Sequence, residues 1–124
     1  MLPNDRQQRY RKLRESLEQL CLQVGVDRPD AVSLRESVDR VQEFFGSQLL
    51  HLPAEGLDPA DVSRTQSYNT ELHKQLRLLA TDVLFLGSAR QAATVQQRQG
   101  QLRDRLMILL RYCDILLGED SSPA

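Results

Sequence analysis

Apolar side chains recur at alternating steps of three and four along four stretches of the chain, the spacing that lines one face of an α-helix. In the first stretch the set is Tyr10, Leu13, Leu17, Leu20/Cys21 and Val24, with Asn4 placed as a cap, Gln7 at the third position after it, and Gly25 as the stop. In the second it is Ala31, Leu34, Val38, Val41 and Phe45, entered through the turn Val26-Asp27-Arg28-Pro29, which predicts a helix over about 30–45. Leu49 and Leu52 could carry it on to Pro53, and 51–57 is then the only real loop.

The third stretch is the longest. Asp58-Pro59 marks its start, with Asp58 as cap, and Val62, Thr65, Asn69, Leu72, Leu76, Leu79, Val83 and Leu86 repeat as a seam, predicting a helix over about 59–90. At 1.5 Å per residue it would be roughly 45 Å long, more than a compact bundle of this size needs, so its first part is expected to overhang into solvent. Thr65 and Asn69 are read accordingly as solvent-facing. Residues 91–94 form a turn, Thr94 caps a fourth helix with Gln97 at the third position, and Val95, Gln99, Leu102, Leu106, Leu109, Cys113 and Leu116 complete its seam before Gly118. The fold class is therefore all-α, a four-helix bundle with a long helix 3/helix 4 antiparallel hairpin. One helical domain is expected over 1–118, with a mobile polar tail over 119–124.

Outside its seam, helix three also carries Leu78, Leu84 and Phe85, and helix four Met107, Ile108, Leu110, Ile115 and Leu117. Such helices need cover on more than one side. Two arrangements supply it, a monomer in which helices three and four form the inner pair, or a homodimer through helices 3 and 4.

With 124 residues and no Trp, the chain has the size of one domain and the leucine-rich composition of packed helices. Cys21 and Cys113 fall within the apolar repeats and read as reduced core thiols, the state of a cytoplasmic protein, rather than as a disulfide. No apolar run approaches the roughly 20 residues of a membrane span, and the start of the chain lacks an export signal.

Charge changes the picture more. Net charge is −1, yet residues 1–14 carry five basic and one acidic side chain, 15–62 three and ten, and 63–112 eight and three. Segregation of this kind gives faces of opposite sign that select a partner, or acidic and basic helices that satisfy one another internally.

Candidate chemistry is sparse. His51 and His73 do not converge with other ligands, since Glu71 and His73 are two apart and diverge on a helix, so no metal site is expected. No Gly-rich phosphate loop is present, and neither cysteine sits in an electropositive, open setting, so the chain reads as non-enzymatic and without cofactors. Arg90, Arg98, Arg103 and Arg105 gather near the last turn, but there is no helix-turn-helix or aromatic platform, and nucleic acid is not the expected partner.

The run Gln66-Ser67-Tyr68, Glu71-Leu72-His73-Lys74-Gln75-Leu76-Arg77-Leu78-Leu79, Asp82-Val83-Leu84-Phe85 and Ala89-Arg90-Gln91-Ala92-Ala93-Thr94, continuing through Asp104-Arg105-Leu106 to Arg111-Tyr112-Cys113, resembles the cyanobacterial PatD family of heterocyst frequency control proteins. The likeness covers residues 66–117. It implies a small cytoplasmic regulator that engages the cell-division GTPase FtsZ and influences division and heterocyst frequency. It carries no binding-site assignment. From the residues themselves, Tyr68, Glu71, Lys74, Arg77, Arg90 and Arg98 are the candidates for partner binding, being polar or amphipathic and largely off the seam.

Overall fold

The computed structural model describes residues 2–119, among which there are four helices and no strands: α1 (Asn4–Val24), α2 (Ala31–Gln48), α3 (Pro59–Ser88) and α4 (Ala92–Leu117). Each helix packs on its neighbour in the chain and α4 also packs on α1, so the four close into a bundle around one core. None of these helices is long and apolar enough to cross a membrane. The core is built from the repeating positions: Tyr10, Leu13, Leu17 and Leu20 from α1, Leu34, Val38 and Phe45 from α2, Leu72, Leu76 and Leu79 from α3, and Leu102, Leu106, Leu109 and Cys113 from α4.

The helix ends differ from the expected ones for local reasons. Asn4 does not cap α1; it lies within the helix, Pro3 precedes it, and Gln7 donates through Nε2 to the Leu2 carbonyl at 2.7 Å. Asp30, unremarked in the sequence, caps α2 by accepting from the Val32 amide at 3.1 Å and the Ser33 hydroxyl at 2.7 Å. α2 runs past the expected end at Phe45 to Gln48, and the amides of Leu49 and Leu50 then both donate to the Phe45 carbonyl. Thr94 caps nothing, because α4 already begins at Ala92, a strong helix former, without a side-chain cap.

Gly118 closes α4 in the left-handed region, at φ 72°, where its amide and that of Glu119 turn back to the carbonyls of Ile115 and Asp114. That reversal delivers Glu119 to α1, where its carboxylate meets Arg11 at 2.5 Å and Arg14 at 2.5 Å. The rest of the polar tail, 120–124, lies outside the described residues.

The length of α3 is accommodated without an overhang. α2 runs beside its second half, where Ala31 abuts Gly87 closely enough that a Cβ on the glycine would lie 3.3 Å from the alanine Cβ, and Phe45 stacks on His73 with ring centroids 6.4 Å apart. Beside the first half lies the loop 49–58, tied down by Arg6, whose guanidinium donates to the Pro53 carbonyl. Arg64 reaches the end of α4, donating to the Ile115 carbonyl at 2.6 Å. Thr65 and Asn69, expected in solvent, are consequently 5% and 6% exposed.

Candidate functional site

Tyr68, Glu71, Lys74 and Arg77 follow one another on α3 at intervals of three, so the row shifts by about 60° around the helix at each step. Tyr68 is half-buried against Tyr112 of α4, with ring centroids 5.6 Å apart. Glu71 is half-buried, while Lys74 and Arg77 are exposed. Arg90 is exposed in the connection between α3 and α4, beside a cleft of about 660 Å³ whose opposite wall is the α1–α2 turn, Asp27 to Pro29. A rise of 1.5 Å per residue separates Tyr68 from Arg90 by roughly 33 Å. The six candidates therefore occupy two places, four spread over the middle of α3 and two, Arg90 and Arg98, at the connection end.

Arg98 is the most engaged of them. Its guanidinium carbon lies 4.7 Å from the centroid of the Phe85 ring, a cation–π contact, and Nη1 donates to Gln101 Oε1 at 3.1 Å. Phe85 itself is 48% exposed. Leu78, Leu84, Met107 and Ile108 are also exposed, so these extra apolar positions face outward, whereas Leu117 enters the core, Leu110 packs against it and Ile115 is half-buried. Phe85 was visible in the sequence as a residue off the seam; that an arginine lies over it was not, because that contact joins two helices.

Other polar groups are consumed in holding the bundle together. Asp82, buried on α3, accepts from Arg105 Nε at 2.5 Å, and Arg105 Nη1 donates to Gln75 Oε1 at 2.7 Å, so one member of the expected basic cluster is spent inside the α3–α4 contact. Gln99 donates to the Val24 carbonyl and, at 2.7 Å, to that of Val26, pinning the end of α1 to α4. Arg14 pairs with Asp114 at 2.9 Å as well as with Glu119. These two carboxylates stabilise the charged guanidinium and raise its pKa, while Arg14 and Arg11 hold the Glu119 carboxyl below its ordinary value. Charge is thus matched between α1 and the end of α4, whereas Glu36, Asp39 and Glu43 on α2 form no ion pair among the described residues.

Both cysteines are free thiols. Burial pushes Cys113 up to about 12, with Asp114 adding to it, and burial followed by the Glu18 charge raises Cys21. Each is held in the protonated form, which is a poor nucleophile. His51 is exposed in the loop and His73 is engaged with Phe45. Among the described residues no three His, Cys, Asp or Glu side chains gather as metal ligands. No family model, curated protein or solved structure matches the chain.

Proposed function

We propose that this protein is a non-enzymatic cytoplasmic regulator acting by protein–protein contact, with FtsZ as its partner and with influence on division and heterocyst frequency. In this reading α3 and α4 form one antiparallel hairpin whose outer surface meets the partner. The observation that carries it is Phe85, half in solvent beneath the Arg98 guanidinium, an aromatic and arginine pair of the kind that anchors interfaces. The order of the contacts supports the hairpin: residues 64, 68, 75 and 85 of α3 meet 115, 112, 105 and 98 of α4. FtsZ is named on the resemblance of residues 66–117 to the PatD family. Two free thiols accord with a reducing compartment, and their protonated state accords with a role that involves no nucleophile.

Pull-down with purified FtsZ, comparing the wild-type chain with Arg90→Glu plus Arg98→Glu, tests the surface. Binding is expected to be lost in the double variant; undiminished binding moves the contact elsewhere. FtsZ assembly followed by light scattering, with and without this protein, then reads the regulatory effect.

A second reading rests on the exposed Leu78, Leu84, Phe85, Met107 and Ile108, which could instead seat a second copy of the chain as a homodimer through α3 and α4. Light scattering at two protein concentrations decides it, a constant monomer mass removing the dimer. The ion pairing of Arg105 favours either protein partner over nucleic acid, since it leaves fewer free cations at that end.

A further inference from the structure

Arg6 is only 8% exposed, yet no Asp or Glu among the described residues lies within ion-pair distance of its guanidinium. Among the described residues its hydrogen bond goes from Nη2 to the Pro53 carbonyl, while a guanidinium has five N–H donors. Burial of a cation without a counter-charge is unfavourable, and nearby carbonyl dipoles offset only part of that cost. Arg6 also lines a cavity of about 360 Å³ between the loop 49–58 and the first half of α3. That volume lies at the small end of the range for ligand sites. Leu50, Leu52 and Leu57 of the loop and Val62 of α3 contribute aliphatic wall, Thr65, Gln66 and Thr70 contribute polar wall, and Asn69 is committed to Tyr10 and Leu49.

A buried cation with no counter-charge among the described residues, at one side of a chamber that is aliphatic along the loop and polar along part of α3, matches a ligand with one negative charge and a short hydrocarbon body. We propose that this cavity binds a small aliphatic monocarboxylate, its carboxylate accepting from the Arg6 guanidinium in a charge-assisted pair and its chain lying against the loop leucines and Val62. The fork of Arg suits a planar carboxylate, and the loop leucines with Val62 give a hydrocarbon chain contacts that a fully hydrated anion such as sulfate cannot make. The competing role for Arg6 is that of a strut, which needs only the Pro53 carbonyl and no ligand.

Isothermal titration of the full chain with octanoate, octanamide and sulfate separates the two. Octanoate is expected to bind, octanamide to bind at least roughly tenfold more weakly for want of charge, and sulfate not to bind. Arg6→Gln should abolish octanoate binding, but it also cuts the strut. Val62→Phe therefore serves as the second variant: it crowds the cavity from α3 while leaving Arg6 in place, and it too should lose octanoate. Absence of octanoate binding up to about 10 mM, equal binding of octanamide, or undiminished binding by Val62→Phe would each overturn the proposal.

Discussion

Tyr10 of α1 donates its hydroxyl to Asn69 Oδ1 of α3 at 2.5 Å, joining two helices that do not pack as neighbours. Asn69 then donates through Nδ2 to the Leu49 carbonyl at 3.2 Å, so a single amide links α1, α3 and the beginning of the loop across the middle of the bundle. Tyr10→Phe would leave the Asn69 oxygen buried and without its donor. The expected loss is about 1–3 kcal/mol of unfolding free energy, measured by urea titration. A change within 0.5 kcal/mol would mean that water replaces the phenol.

Burial, opposed in part by the bond to Asn69, raises the Tyr10 phenol to about 12, and burial raises the Cys113 thiol to about 12. Both groups hold their protons in the folded state at pH values where the unfolded chain has released them. Their stabilising contribution is complete below the unfolded values, near 9 for the thiol and 10 for the phenol, and is lost as pH rises towards 12. Chemical denaturation at a series of pH values should show stability falling across that window. Cys113→Ala should flatten the first part of the fall, at its own cost from the cavity it leaves.

Cys21 and Cys113 should separate cleanly by reactivity. Cys21 is partly exposed on α1, whereas Cys113 is fully covered in the core. In native conditions a thiol reagent is expected to label Cys21 first, and Cys113 only at the rate at which the bundle opens. Equal labelling of both would mean that the end of α4 is loosely packed.

Asp82 and Arg105 form a partly buried pair inside the α3–α4 contact. Removing either side chain leaves its partner short of a counter-charge, so Asp82→Ala or Arg105→Ala is expected to cost about 1–3 kcal/mol, less than a fully buried pair because Arg105 retains solvent. A double-mutant cycle should return a coupling above about 0.5 kcal/mol. Additive losses would reassign the effect to packing of the two side-chain stems.

Phe85→Ala offers the opposite signature. With half of its ring already in solvent, it should change stability by less than about 1 kcal/mol. The same substitution should weaken partner or self-association by about 2 kcal/mol if the ring is an anchor. A variant that unfolds instead would place Phe85 among the core residues.

The apolar register was legible because leucine spacing is a property of single helices: Leu13 and Leu17, Leu72 and Leu76, Leu102 and Leu106 all enter the core as their periods require. Asn69 was not, since its burial depends on a tyrosine 59 positions earlier and on a loop that lies back along α3. Asp82 was likewise an ordinary polar helix residue until Arg105 stood opposite it. Of the surface, the exposed apolar residues were readable as a surplus, while the spread of Tyr68 and Arg90 to different regions of the molecule appears only with the helices in place. Arg6 is one of five basic residues counted over 1–14, and nothing local announces that the loop will cover it.

The order in which the helices touch bears on how quickly the chain finds its native state. Three of the four packing partnerships join segments that are consecutive in the polypeptide, and only α1 with α4 must be closed across nearly its whole length, by contacts such as Arg14 to Asp114. Low contact order of this kind goes with folding in microseconds to milliseconds, so the slowest search should be the docking of the outer two helices rather than the formation of any successive pair.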